Sequence, residues 1–263
     1  MRRLLTLAGC TAVAVAAALI PQPAAAPVVQ SAGWNGTRWS IMAHRCNGSV
    51  YTEQTSVGCT KAASKGATLL EGDVRFTSTG VPVMLHNADM GVFGAPTVLI
   101  GTISTTTAYG YVSSKGQNIM TLHQFRDLAV ATDSDIAVEP KVRPTAAQWD
   151  SIDLHLAGIK DRVLLNSFDR LTIADAAARG YTWLGMSTTN DPTFPLPAGL
   201  DVLFQNAAYI DAATVAAVQA AGVEMWCYVC DTPASWDAMT AMGVTGFSTD
   251  NHAAAQTWAL ANP

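Results

Sequence analysis

The sequence predicts an α/β fold of the TIM (β/α)8 barrel type, with an irregular insertion after the second strand. Three features of the chain carry that prediction. Eight short apolar runs recur along it, Ala-rich segments with helical spacing lie between them, and glycines close several of those segments.

The runs fall at residues 41–44, 69–76, 136–141, 163–168, 183–186, 202–205, 223–229 and 246–249. The clearest helical segments are 60–66, 122–131, 145–157, 170–180, 211–222 and 234–243; Gly66, Gly180, Gly222 and Gly243 stand where a helix ends in the left-handed conformation. Strand–helix alternation implies parallel strands joined by right-handed crossovers. A doubly wound open sheet is the alternative, and it ranks second because no glycine-rich nucleotide fingerprint follows any strand. Residues 81–86 form an extra strand-like run after the turn-like Thr77-Ser78-Thr79-Gly80. They are read as a hairpin partner or continuation of the second strand, carrying His86 to the barrel mouth. Residues 87–120 lack periodicity and are rich in Gly, Thr and Ser, so a loop or small subdomain over the active site is expected there.

The amino terminus sets the compartment. Met1-Arg2-Arg3 precedes an apolar stretch from Leu4 to Ile20, and Pro21 and the small residues Ala24 to Ala26 follow. That order is a secretory signal peptide over residues 1–26, implying a secreted, extracellular protein. A transmembrane anchor is less consistent with so short a core. Leu7-Ala8-Gly9-Cys10 resembles a lipobox, which makes lipid anchoring through Cys10 a minor alternative. Residues 27–39 read as an extension and 40–263 as one domain. With 49% hydrophobic and only 13% charged residues the chain can bury a sizeable core, and the net charge of −5 argues against a nucleic-acid partner. No stable membrane insertion is expected, and nothing indicates an oligomeric state. Past the signal segment stand Cys46, Cys59, Cys227 and Cys230, an even count that favours disulfides in an exported protein. Three pairings are possible, of which the two local ones are simplest. The CxxC of Cys227 and Cys230 also has zinc-ligand spacing, but it lies in a strand-like segment.

Leu70-Glu71-Gly72-Asp73-Val74 carries the strongest chemical signal. Positions i and i+2 of a strand share a face, so Glu71 and Asp73 point together into the barrel. Two adjacent buried carboxylates repel each other and call for a cation, and oxygen donors suit Ca²⁺ or Mg²⁺. A surface strand with solvated charges is the plainer explanation, but the apolar flanks argue for burial. By the same alternation Glu139 adds a third ligand and Lys141 a positive charge for phosphate, with a Glu139–Lys141 salt bridge as the alternative. His44 and His86 end two strand-like runs, where near-neutral imidazoles can serve as general acid and base. Arg45 suits a phosphate oxygen. His123 and His155 lie in helical segments without a role, and His252 follows the last strand, where it could line the rim.

The chain resembles the glycerophosphodiester phosphodiesterase family. The resemblance rests on His44-Arg45, Thr52-Glu53-Gln54-Thr55, Leu70-Glu71-Gly72-Asp73-Val74 and Val83-Met84-Leu85-His86. It continues through Glu139-Pro140-Lys141, Asn166-Ser167-Phe168, Trp226 and the closing run from Gly243 to Asp250. It implies a TIM barrel, one divalent cation on Glu71, Asp73 and Glu139, and His44 and His86 as the acid/base pair. It also implies Arg45 and Lys141 on the phosphate, and hydrolysis of a small glycerophosphodiester to an alcohol and glycerol phosphate through a cyclic phosphate. Three positions depart from the family pattern. Cys46 stands in place of a glycine, so a disulfide is expected to hold that backbone. Asn87 replaces an aspartate, and His252 a proline. A lipid phosphodiesterase of the sphingomyelinase D or phosphatidylinositol phospholipase C kind is the nearest alternative, for which Trp183, Phe204 and Trp226 would form an apolar lip unless they simply pack the barrel. A non-catalytic binding protein is disfavoured by the full set of histidines and acids.

Overall fold

The computed structural model describes residues 39–46 and 51–263. The expected signal segment 1–26 with Cys10, and all of the 27–39 extension except Trp39, lie outside the described residues. Eight parallel strands form the barrel: β1 (Ser40–Ala43), β2 (Leu69–Phe76), β3 (Asp135–Pro140), β4 (Val163–Ser167), β5 (Trp183–Thr188), β6 (Val202–Asn206), β7 (Glu224–Tyr228) and β8 (Gly246–Thr249). The sheet closes because β1 pairs with both β2 and β8. One register governs the site: β2 against β3 sets Asp73 directly beside Glu139.

Seven helices of nine residues or more connect or follow the strands: α1 (Ser56–Ser64), α2 (Leu122–Thr132), α3 (Ala146–His155), α4 (Arg170–Ala178), α5 (Ala212–Ala220), α6 (Pro233–Ala241) and α7 (His252–Ala261). Six of them start at a Thr or Asp whose side chain accepts a backbone N–H of the first turn, at Thr55, Thr121, Thr145, Asp169, Asp211 and Thr232. Each such cap contributes about 1 kcal/mol. Thr55 explains why α1 begins four residues earlier than its apolar spacing suggests. No helix bridges β5 and β6, because Pro192, Pro195 and Pro197 interrupt that connection.

Side chains alternate as a barrel requires. Leu70, Val74, Val138, Leu165, Leu203 and Phe247 face outward into the layer under the helices. Met42, Leu69, Ala137, Leu164, Val202, Phe204 and Trp226 fill the interior. Phe204 and Trp226 meet edge to face with centroids 5.1 Å apart. Two glycines make room for them: a Cβ on Gly246 would lie 2.5 Å from the Trp226 ring, and one on Gly185 would lie 2.9 Å from Phe204. Phe204 and Trp226 are therefore a plug across the barrel and not an exposed lip.

The segment after β2 forms a small subdomain. Pro82–Met84 runs antiparallel to β2 as a hairpin partner, and Met120–Thr121 pairs antiparallel with it in turn. A two-stranded ribbon, Asp89–Met90 with Ala95–Leu99, stands beyond. Val83, Leu85, Met90, Phe93, Ile100 and Ile119 give the subdomain its own core. It was expected over the active site, yet past His86 it contributes no residue to the cavity lining. Its polar contacts run sideways instead, from Thr52 Oγ1 to Ser113 Oγ (3.0 Å) and from Thr55 Oγ1 to Gln117 Oε1 (2.8 Å).

The cysteines pair locally, Cys46 with Cys59 and Cys227 with Cys230, which removes the thiolates a zinc site needs. Among the described residues no helix is long and apolar enough to cross a membrane.

Candidate active site

The C-terminal ends of the strands converge on a cavity of about 240 Å³. All seven predicted site residues line it: His44, Arg45, Glu71, Asp73, His86, Glu139 and Lys141. Strand alternation delivers Glu71 and Asp73 from β2 and Glu139 from β3, while His44 and Arg45 lie in the turn that ends β1.

That turn has unusual backbone. Arg45 (φ 47°) and Cys46 (φ 56°) both occupy the left-handed region, which non-glycine residues rarely adopt. The conformation aims the Arg45 backbone N–H at Glu71 Oε2, 2.6 Å away. The Cys46–Cys59 disulfide ties the turn to α1, as expected from the cysteine found where the family has glycine. Gln54, itself at φ 54°, clasps Asp73 from the same side. Its Nε2 donates to Asp73 Oδ2, its Oε1 accepts the Asp73 backbone N–H at 3.0 Å, and its own N–H bonds Arg45 O.

Charge dominates this side of the cavity. Glu71, Asp73 and Glu139 are all buried. Burial, then repulsion from Asp73, lifts Glu71 from the ordinary 4.5 to about 8, and the same two causes raise Glu139. Lys141 Nζ bridges Glu139 Oε1 (2.6 Å) and Asp73 Oδ1 (3.1 Å). The salt bridge considered from sequence thus exists, and it also includes Asp73. The Arg45 guanidinium pairs with Glu53 at 3.1 Å, while its buried Nε has no hydrogen-bond partner and lies 3.7 Å from Asp73 Oδ2.

A hard divalent cation suits this donor set: of the three buried carboxylates, Glu71 and Glu139 are raised by burial and then by repulsion from Asp73, and Lys141 reaches only Asp73 and Glu139. As they stand, no three His, Cys, Asp or Glu side chains among the described residues are arranged to hold an ion. The Lys141 ammonium between Asp73 and Glu139 is the group that would have to yield.

The histidines are tuned in opposite directions. For His44, burial acts downward, but a 2.8 Å hydrogen bond to Asp250 and the charges of Glu71 and Asp250 outweigh it, so the imidazole is raised above 6.5. For His86 burial prevails and lowers it below 6.5, despite the Asp73 charge and a 2.9 Å hydrogen bond to Asn87. Arg75 Nε donates to His86 O (2.8 Å), fixing that turn to β2.

The other candidates fall outside the cavity. His252 is buried, its Nε2 3.1 Å from Ala62 O, so it supports the α1–α7 contact and not the rim. His123 and His155 stack on the helical layer with centroids 5.6 Å apart. The cavity also contains residues that sequence reasoning gave no role: Asn166, Phe168, Ser187, Asn206, Tyr228 and Ser248. All but Phe168 occupy inward positions of their strands, so applying the β2 alternation to every strand would have found them. Asn166 Nδ2 donates to Glu139 Oε2 (3.1 Å), and Ser187 Oγ donates to Asn166 Oδ1 (3.1 Å).

An α/β barrel with a carboxylate cluster, two imidazoles and two cationic side chains at its C-terminal mouth is a hydrolase kind of site. Residues 44–254 match the model of the glycerophosphoryl diester phosphodiesterase family, and the chain belongs to that family. Its members are phosphodiester-hydrolysing enzymes. No curated protein matches the chain by sequence. Several solved structures share its fold. A phosphodiesterase of Oleispira antarctica, in complex with the product sn-glycerol-3-phosphate, is 17% identical, with a TM-score of 0.73 over 83% of this chain and 96% of that one. A glycerophosphodiester phosphodiesterase of Parabacteroides distasonis is 18% identical (TM-score 0.74, 86% and 98% covered). One from Thermotoga maritima is 19% identical (TM-score 0.68, 82% and 96% covered).

Proposed function

We propose that this chain hydrolyses small glycerophosphodiesters to an alcohol and glycerol phosphate, with His86 as first base, His44 as first acid, and a divalent cation on Glu71, Asp73 and Glu139. The observation that carries the reading is the convergence of two imidazoles, three buried carboxylates and two cationic side chains in one cavity of a chain of this family. A bound Ca²⁺ or Mg²⁺ would supply charge stabilisation at the phosphorus and acidify the attacking hydroxyl.

The neutral His86 takes the proton of the glycerol hydroxyl next to the phosphate, and that oxygen attacks phosphorus. The bond from phosphorus to the head-group oxygen breaks, and protonated His44 gives its proton to the departing alcohol. The roles then reverse. His44, now neutral, takes a proton from water as it opens the cyclic phosphate, and His86 returns its proton to the glycerol oxygen. Lys141 and the Arg45 guanidinium, which both line the cavity, are the cations that would meet the non-bridging phosphate oxygens. No protein nucleophile is required.

The test is a panel of glycerophosphocholine, glycerophosphoethanolamine and glycerophosphoglycerol against sphingomyelin and phosphatidylinositol. Each is assayed after chelation and again with Ca²⁺ or Mg²⁺ restored. Turnover of the water-soluble diesters that fails on chelation and returns with one cation supports the reading. Preference for the long-chain lipids would favour the lipid-phosphodiesterase alternative, and turnover indifferent to chelator would remove the cation.

The protein is also proposed to be secreted after loss of residues 1–26, which its two disulfides suit. Amino-terminal sequencing of the exported protein tests this; retention of Cys10 with an attached lipid would overturn it.

A further inference from the structure

The loop that leaves β7 is fastened to the end of β8 at several points. Cys227 and Cys230 close it by a disulfide, and the Cys230 N–H donates to Ser248 O at 3.1 Å. Trp236 Nε1 donates to Cys230 O at 2.7 Å from within α6. The next residue, Asp231, accepts two bonds through a single oxygen: the Thr249 hydroxyl and the Asp250 backbone N–H, each at 2.8 Å from Oδ1. Asp250 in turn places its Oδ1 2.8 Å from His44 Nδ1. Neither aspartate lines the cavity, so neither is placed to meet substrate.

We infer that Asp231 and Asp250 form a positioning chain for His44, with Asp231 fixing the β8 terminus so that Asp250 holds the His44 ring with Nε2 toward the substrate.

An imidazole bonded through Nδ1 to a carboxylate has its rotation and tautomer fixed, leaving the opposite nitrogen to exchange protons with substrate. The carboxylate orients the ring only if its own backbone is held. Asp250 sits just past the last residue of β8, beyond the ladder hydrogen bonds that would otherwise hold it. Asp231 supplies those bonds from the neighbouring loop. Burial acts to raise Asp250, but the His44 hydrogen bond and charge outweigh it, so it stays anionic below the usual carboxylate range. Sub-ångström misplacement of an acid/base group costs turnover far more than it costs substrate affinity, which sets the signature of a broken chain.

The inference rests on His44 being the acid/base group proposed above. The experiment measures kcat and KM for glycerophosphocholine, with Mg²⁺ present, for His44→Ala, Asp250→Ala, Asp231→Ala and Asp231→Asn. Asp250→Ala is expected to lower kcat about 100-fold and Asp231→Ala about 10-fold, with KM within about twofold of the parent. Asp231→Asn keeps an oxygen that accepts both bonds, and is expected to recover most of the loss. If Asp231→Ala does not fold, Thr249→Val deletes one of the two bonds, and a kcat reduced about threefold at constant KM carries the same conclusion. Folded Asp231→Ala or Thr249→Val with parental kcat overturns the inference, as do equal losses in Asp231→Ala and Asp231→Asn. If His44→Ala abolishes turnover while both aspartate variants keep it, only the inference fails. If His44→Ala itself keeps parental kcat, the catalytic reading fails and the chain loses its purpose.

Discussion

The two halves of the cavity are chemically unlike. The half built by β1 to β3 and the hairpin presents His44, Arg45, Glu71, Asp73, His86, Glu139 and Lys141, all ionisable and buried or half-buried, with Met42 below them. The half built by β4 to β8 presents Asn166, Phe168, Ser187, Phe204, Asn206, Tyr228, Val229 and Ser248. Asn166 is the seam, bonding Glu139 on one side and Ser187 on the other. Charge gathered on one wall concentrates the field where a phosphate would react. The neutral wall can shape what is attached to it without disturbing the ionisation states opposite. Substitutions on the first wall should therefore act on kcat, and those on the second on KM.

The largest effects belong to the histidines. His44→Ala and His86→Ala are each expected to lower kcat by about 10²–10⁴-fold while both proteins remain folded. A steady-state assay with circular dichroism as control checks this. A loss confined to KM would break the contrast between the walls.

The carboxylates come next, and they couple activity to stability. Burial lifts Glu71 from 4.5 to about 8 in the folded chain, above its unfolded value. Its favourable contribution is complete below the ordinary carboxylate range and is lost as pH rises toward 8. Metal-free Glu71→Gln should then melt higher than metal-free parent at pH 8, by about 2–4 °C for each kcal/mol relieved. The parent should gain Tm on adding Ca²⁺ or Mg²⁺, by up to about 2.7 kcal/mol at a hundredfold excess over Kd, whereas Glu71→Gln should lose most of that gain and most of its activity. Differential scanning calorimetry at pH 5 and pH 8, with and without cation, measures both.

The charged wall was the legible one. Alternation along β2 and β3 is a local property, so Glu71, Asp73, Glu139 and Lys141 could be assigned to one face before any fold was known. All eight strands were likewise visible as apolar runs, because strands covered on both faces read as nearly continuous hydrophobic sequence. The neutral wall was harder to see, since a lone Asn or Ser on an inward strand position carries no charge cost that demands explanation. Asp231 and Asp250 were harder still. Their roles depend on a loop from β7 folding back on the end of β8 and on His44 lying 206 residues away in sequence. No spacing rule reports such contacts. The subdomain after β2 was foreseen as an insertion but set over the cavity, because its composition could not reveal that Val83, Leu85 and Phe93 gather it into a core beside the mouth.

A smaller effect, on the shape of the pH profile, follows from the opposed histidines. In the proposed roles, turnover requires His86 neutral and His44 protonated. Burial lowers His86, and the Asp250 hydrogen bond, which a cation on the carboxylates leaves in place, acts to raise His44, so kcat/KM should be bell-shaped, its acid limb set by His86 and its alkaline limb by His44. The groups acting on His44 are Asp250 and Glu71, which raise it, and Arg45, which lowers it. Asp250→Asn removes a raising influence, so its alkaline limb should move toward lower pH while the acid limb stays. Movement of the acid limb instead would exchange the two assignments.

The smallest expected effect tests the neutral wall. Phe168 is 47% exposed and meets the Tyr228 ring edge to face, with centroids 5.9 Å apart, while the Tyr228 hydroxyl donates to Thr188 O at 3.0 Å. The pair forms an apolar ledge at the mouth, with the Tyr228 side held by its hydroxyl and the Phe168 ring 5.8 Å from Lys141 Nζ. Phe168→Ala removes the exposed half of the ledge and its contact with Lys141, but leaves the Lys141 hydrogen bonds to Asp73 and Glu139 in place. Its loss should raise KM severalfold, within the roughly 1–3 kcal/mol that an apolar contact discriminates, and leave kcat near the parent value. The rise should depend on the head group, larger for choline than for glycerol, because only the former presents methyl groups to an aromatic face. An equal rise for every head group would mean that the ledge holds the shared glycerol phosphate, and a fall in kcat would mean that the two walls are not separable.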